Sequence, residues 1–467
     1  MEDGGTPHDP PQDPSLRQLL LIPPPIHAED HPEPPPESIL LDRFGYLSDR
    51  TNATTAGCRR GRRSGRRILV TFWAAAPPLV SCFTVHCPGL APSAFGDTPE
   101  VLCAEDDLAL LGVAFCPQGE HHRARNTRYF VYQAGARDKP PSLRRVRTPP
   151  GLVLNSSEAV LLRCRDRDAF FLAALRAAFI DWECAKKQVF DLHLYSSRTG
   201  GWSTSRLVNV ESPPDFTLFS LNTVIAIGGE RGSVGWVDLW QGILICDLLL
   251  DNHHSLRYIP LPPQLVPNSL QAGYPMYVRD IIVIQGHIKY FEMDKNFMPC
   301  SDVADGWVAA TKKMEASNVG GTESSWEEDC TIKFQEVPVD SPAYAEMLPD
   351  LQQGQDAELT LKRVHAGSPA LSLHDGDVVY IMHRPDHRGH RASVIAVDMR
   401  TKTLKGVADF STGRPLGYVP YIQSGISKHL GIWSTSSRDG IPGEGKQEVP
   451  RRGCATAACQ PHSFWKE

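Results

Sequence analysis

Apolar, β-branched and aromatic residues recur along most of the chain in short stretches separated by glycine and proline. Ile68-Leu69-Val70-Thr71-Phe72-Trp73 has strand composition, and so do residues 79–85, 108–115 and 128–132. Pro77-Pro78, Pro88-Gly89 and Pro117-Gln118-Gly119 punctuate them as turns. Residues 133–150 read as a basic, proline-containing loop. The alanines and leucines of 169–188 favour helix by propensity, but strand-like flanks point to a strand at 169–175 followed by a loop.

Further on, hairpins follow one another. Residues 189–195 and 202–208 are joined by Ser-Ser-Arg-Thr-Gly-Gly, 234–240 and 243–247 by Gln241-Gly242, and 280–284 and 287–293 by Gln285-Gly286. Four more short strands are expected at 358–364, 378–382, 393–398 and 404–410. Strands of this length and density define an all-β chain of antiparallel hairpins, a sandwich, barrel or propeller. One recurrence favours the propeller. A strand running into a Thr-containing turn and then another strand appears at 194–202 and again at 396–404, as the tight outer hairpins of four-stranded blades require.

The ends differ from this pattern. Residues 1–37 hold three proline clusters among acidic and small residues, with Leu19-Leu20-Leu21-Ile22 as their one apolar patch. This composition reads as a disordered leader carrying at most one docking peptide. A β-rich domain is expected over 38–433, and 434–467, with no strand periodicity, as a disordered tail. The N-terminus is acidic where a signal peptide would be basic and then apolar, and no segment reaches the roughly 20 apolar residues that span a bilayer. The expectation is an intracellular protein, cytoplasmic or nuclear, with no membrane partner, and the twelve cysteines then read as reduced thiols. A formal net charge of -6 argues against a dedicated nucleic-acid partner.

Several motifs together carry a resemblance. Residues 234–247 (VGWVDLWQGILICD), followed by Leu256-Arg257-Tyr258-Ile259-Pro260-Leu261-Pro262, resemble the signature of the plant family called domain of unknown function 1618, which is expanded in grasses. Ile39-Leu40-Leu41-Asp42, Glu105-Asp106-Asp107-Leu108, Asp305-Gly306-Trp307 and Val394-Ile395-Ala396-Val397-Asp398 extend the similarity, with the signature region at about 234–410. The resemblance implies a plant source and an all-β, propeller-like core, and it transfers no catalytic residues. Some plant proteins with similar β-rich regions carry an F-box ahead of them, a helical module that residues 1–37 do not resemble.

Candidate chemistry is sparse. Trp236, Asp238 and Trp240 alternate on one strand, so they would share a face. An acid between two indoles could hold a sugar or a cation, but aromatic strand faces are usually core. We therefore assign Trp236, Asp238, Trp240 and Gly242 structural roles, Gly242 because the reversal there calls for a positive φ. His383, His387 and His390 with Asp386 offer metal-ligand types, but Pro385 and Gly389 make a solvated loop the simpler reading, and no metal or other cofactor is expected. Cys82 and Cys87 with His86 lack a second ligand pair. The run Arg59, Arg60, Arg62, Arg63, Arg66 and Arg67 could bind phosphate or direct nuclear import, and otherwise forms a solvated loop. No Gly-x-Ser-x-Gly, P-loop or His-Glu-x-x-His motif is present. The reading is a non-enzymatic module binding a protein partner, with an enzyme or small-ligand receptor built on a central pocket as the alternative.

Overall fold

A computed structural model describes residues 16–25, 34–59, 67–115, 126–136, 139–180, 188–208, 219–250, 254–266, 273–295, 306–317, 326–352, 359–385, 391–410, 412–414 and 420–430. Its strands form six sheets arranged as the blades of a β-propeller. Blade 1 comprises Glu100–Glu105, Leu108–Ala114, Thr127–Gln133 and Ser142–Val146. Blade 2 comprises Ala159–Cys164, Ala169–Ile180, Gln188–Ser196 and Gly201–Val208. Blade 3 comprises Thr223–Gly228, Ser233–Asp238, Gly242–Asp247 and Arg257–Pro260. Blade 4 comprises Arg279–Ile284, His287–Lys295, Trp307–Glu315 and Glu327–Lys333, and blade 5 Ala366–Leu371, Val378–His383, Ser393–Asp398 and Thr403–Asp409. Within each, consecutive strands pair antiparallel from the innermost outward.

Blade 6 closes the ring from both halves of the chain. Its innermost strand, Tyr421–Ser424, pairs antiparallel with Ile39–Asp42, which pairs in parallel with Val80–His86. Arg67–Trp73 and Ala56–Arg59 complete the blade outward. In blades 1 to 5 four antiparallel strands return the chain to one side before the next blade starts, so their inner strands all run the same way. We call the side where they begin the upper face.

Each blade packs its two faces against two neighbours, which explains the buried runs without alternation. Every residue of Leu108–Ala114, Ser233–Asp238 and Gly242–Asp247 is buried. Odd and even positions serve different interfaces. Val234 and Trp236 join Leu162, Ala173 and Leu175 of blade 2, whereas Val237 joins Ile281, Ile288 and Tyr290 of blade 4. Ala169–Ile180 behaves likewise: Leu172 and Ala174 face blade 1, and Ala173 and Leu175 face blade 3. This cover on both sides overrides the helical propensity of its alanines, and the strand runs past the expected end at 175.

Two further expectations need correction. The stretch read as a loop at 133–150 contains the outer strand Ser142–Val146 of blade 1. It is an edge strand, and its arginines disguise it as solvent-facing chain. The strand expected at 358–364 is not formed by its described residues; Leu361–Arg363 is a 3-10 turn, in which the Thr360 hydroxyl accepts the Lys362 N–H. That local bond competes with sheet pairing, and blade 5 starts instead at Ala366.

Of the expected leader, Leu16–Leu20 forms a short helix whose Leu20 is buried among residues of blades 6 and 1. Residues 1–15, 26–33 and the tail 434–467 lie outside the described residues. Among the described residues, no helix is long and apolar enough to cross a membrane.

Candidate functional site

The inner strands surround a central channel with a cavity of about 160 Å³, lined by residues of all six blades. Towards the upper face, Arg43 leaves the strand Ile39–Asp42 and donates from Nε and Nη2 to Glu100 Oε1 at 2.9 and 2.7 Å, and to the Ser156 hydroxyl. Arg279, at the start of blade 4, is buried. It donates to the Leu239 carbonyl at 2.7 Å and to Glu292 Oε1 at 2.5 Å, and its guanidinium lies 4.2 Å from the Trp240 ring centroid.

Asp280 follows it and lines the channel. Its Oδ2 accepts the Leu371 N–H at 2.8 Å and the Gln423 side-chain amide at 2.7 Å. Burial pushes this carboxyl up to about 6 despite those donors. Beside it the inner strand of blade 5 bulges between Gly367 and Ala370, with Ser368 at a φ of 48°. The Ser368 carbonyl accepts the Tyr421 hydroxyl at 2.9 Å, which ties the bulge to blade 6.

Glu105, last residue of its inner strand, lines the channel towards the lower face. Burial, reinforced by the neighbouring Asp106 carboxylate, pushes it up to about 7. Asp106, in the following turn, is itself held below the usual carboxylate range. Burial opposes this, but bonds from His429 Nε2 at 2.9 Å and from Arg165 outweigh it.

Two raised carboxyls in one cavity are the kind of groups that acid–base catalysis uses. The rest of the lining does not complete a reaction centre. Asp280 is second in its strand and Glu105 last in its own, so they stand towards opposite ends of the channel. Burial pushes the Cys103 thiol up to about 12, which keeps it protonated and unreactive. Among the described residues lining the channel there is no histidine to activate Ser156 or Ser368. The cavity is also small against the roughly 300–1,000 Å³ of ordinary ligand pockets.

The two carboxyls carry a pH prediction. Each keeps its proton to higher pH in the folded chain than its ordinary values of 4.5 and 3.8 allow. Between about pH 4 and 7 these two carboxyls therefore bind more protons in the folded state, and their contribution to stability falls as pH rises through that window. The double variant Glu105→Gln, Asp280→Asn should flatten the decline in melting temperature between pH 5 and 8. A double variant whose melting temperature follows pH just as the wild type's does would contradict the assignment.

The residues singled out from the sequence fall elsewhere. Trp236 is fully buried between blades 2 and 3 and donates from Nε1 to the Glu158 carbonyl at 2.7 Å. The strand ends at Asp238, so Trp240 lies in the following turn and the three do not line one strand face as expected. Asp238 is buried and accepts the backbone N–H groups of Ser220 at 2.8 Å and Trp240 at 2.9 Å, and the Gln241 amide at 2.8 Å. Its oxygens are occupied in holding the turn.

Gly242 is not among the described glycines with a positive φ. It opens the next strand, where a Cβ would overlap the Ile259 carbonyl oxygen and lie 2.5 Å from the Tyr258 ring. Close approach of the outer strand, not turn geometry, is what calls for glycine. Gly242→Val should cost about 1–3 kcal/mol, the usual range for overpacking. Urea denaturation checks this, and an unchanged midpoint would mean the outer strand yields freely.

His383 ends a strand of blade 5, buried, its Nδ1 accepting the His365 N–H at 3.1 Å; residues 386–390 lie outside the described residues. Cys82 and Cys87 join different apolar clusters and so do not converge. Of the arginine run, Arg59 and Arg67 face each other across a strand pair, and 60–66 lie outside the described residues. Asp329, Cys330 and Asp377 approach one another between blades 4 and 5. Lys289 Nζ already sits 2.6 Å from Asp329, and Arg400 Nε 2.6 Å from Asp377, so the carboxylates are neutralised within the protein.

Sequence reasoning missed Arg43, Glu105, Arg279, Asp280 and Gln423. Arg43, Arg279, Asp280 and Gln423 belong to no local motif, the motif that holds Glu105 does not mark it as a channel residue, and the five converge only when the ring closes.

Residues 236–380 match the model of a family described as "Protein of unknown function (DUF1618)". The match runs from blade 3 into blade 5. No curated protein matches the chain. Among solved structures, the chain is similar to the WD40 domain of SCAP from fission yeast, at 10% identity over 74% of each chain, with a TM-score of 0.29.

Proposed function

We propose that this β-propeller is a non-enzymatic interaction module that holds a protein partner on its loops and outer edges. One observation carries the reading: most of the channel's ionic groups are engaged within the protein. Arg43 holds Glu100, Arg279 holds Glu292, and Asp280 is occupied by Leu371 and Gln423. A ring whose central charges are mostly engaged leaves its surface loops as the place for recognition. The rival reading, a receptor or enzyme acting through the channel, draws on the raised carboxyls of Asp280 and Glu105.

Affinity capture of the tagged chain from cell extract separates the two. The module reading expects a protein recovered in comparable amounts by wild type and by the Glu105→Gln, Asp280→Asn variant. A small molecule that co-purifies with wild type and is lost from that variant would favour the rival.

A further inference from the structure

The chain is acidic overall, with a formal net charge of -6, yet one corner of the upper face has the opposite character. The outermost strands of blades 6 and 1, Ala56–Arg59 and Ser142–Val146, pack beside each other there. The outer two strands of both blades, AGCR, RILVTFW, TRYFVYQ and SLRRV, contain no aspartate or glutamate.

Their upper ends carry arginines. Phe130 pairs with Arg145 and Tyr129 with Val146, and continuing that register sets Arg128 opposite Arg147. In blade 1, Phe130, Tyr132 and Leu143 point into the core shared with blade 6. By strand alternation Arg128, Arg145 and Arg147 lie on that same face, above the core. Arg59 and Arg67 form a cross-strand pair at the same end of blade 6. Arg59, Arg67, Arg128 and Arg147 are exposed.

Like charges placed directly opposite each other are destabilising, and here nothing on the surrounding strands offsets them. The Arg145 guanidinium is held below its ordinary value first by burial and then by the charges of Arg128 and Arg147. Several other arginines meet acids: Arg43, Arg163, Arg165, Arg206, Arg257 and Arg279 each hold a carboxylate. Among the described residues, none lies within ion-pair distance of Arg59, Arg67, Arg128 or Arg147.

We propose that this arginine corner is the docking surface for a short acidic peptide segment of a partner protein. The proposal rests on the interaction-module reading and names the chemistry of its partner. Guanidinium groups bind carboxylates and phosphates through paired hydrogen bonds, for which lysine is no substitute. Among the described residues the patch occupies a few strand ends, which matches a short segment. A long duplex would lay many phosphates along a molecule whose overall charge repels them.

The test uses the full-length chain and fluorescence anisotropy with labelled probes of equal length: a glutamate-rich peptide, its glutamine counterpart, a phosphoserine peptide and a short DNA duplex. The glutamate peptide should bind saturably and weaken with added salt, and the glutamine peptide should not bind. Arg128→Gln with Arg147→Gln should weaken binding roughly tenfold or more, as loss of charge-assisted bonds does, without lowering the melting temperature. Tighter binding of the phosphoserine peptide would keep the acidic-segment assignment and identify phosphate as the source. Equal binding of the glutamate and glutamine peptides, indifference to the double variant, or preference for the duplex would overturn the proposal. A captured protein that the double variant still retains would refute the corner and leave the module standing, whereas capture of no protein by either form would refute both.

Discussion

Trp236→Ala should destabilise the chain by about 3–5 kcal/mol, the usual range for emptying a large buried aromatic site. The indole is fully buried, packed with Val234, Leu244 and Cys246 of its own blade and with Leu162, Ala173 and Leu175 of blade 2. Its Nε1 donates 2.7 Å to the Glu158 carbonyl, just before the inner strand of blade 2. Truncation therefore opens a cavity at a blade interface and removes one of the two hydrogen bonds to that carbonyl, which keeps the Leu175 N–H at 3.2 Å. Trp236→Phe keeps most of the volume and loses only the bond, so it should cost less. Chemical denaturation measures both. If alanine left the midpoint unmoved while partner capture was lost, Trp236 would be a binding platform and not core.

The second large effect is expected at Arg279. Its ion pair with Glu292 has both side chains almost fully buried, and its guanidinium covers Trp240 and bonds the Leu239 carbonyl. Arg279→Met leaves the Glu292 carboxylate buried without its cation, which should cost about 3–5 kcal/mol. Changing Glu292→Gln in the same chain removes the stranded charge, so the double variant should recover much of the loss. A double variant no more stable than Arg279→Met would show that stacking on Trp240, and not charge, is the dominant contribution.

The hairpins were legible because their turns are chemically distinct. Gln285-Gly286 between 280–284 and 287–293 corresponds to a hairpin in which both turn residues have positive φ. The two Thr-containing recurrences are the same structural feature, the hairpin joining the third and fourth strands of blades 2 and 5. What stayed hidden is the phase of the blades. A strand covered on both faces, such as Leu108–Ala114, has no alternation to say which residues meet which neighbour.

The same limit hid the channel. Asp280 meets Gln423 across 143 positions of sequence, and Arg43 meets Glu100 across 57. Those pairings depend on Tyr421–Ser424 returning beside Ile39–Asp42, which no local pattern announces. Gly242 was readable as a special position but not for the right reason, since the restriction comes from the approach of Tyr258 and Ile259 on the neighbouring strand.

The central claim, that recognition belongs to the loops and edges and not to the channel, is tested most directly by hydrogen exchange on the full chain with and without its captured partner. The account predicts new protection at surface segments, foremost residues 126–128 and 145–148, with the inner strands unchanged. Protection concentrated at Arg279–Ile284, residues 368–371 and Tyr421–Ser424 would place the partner in the channel and contradict it.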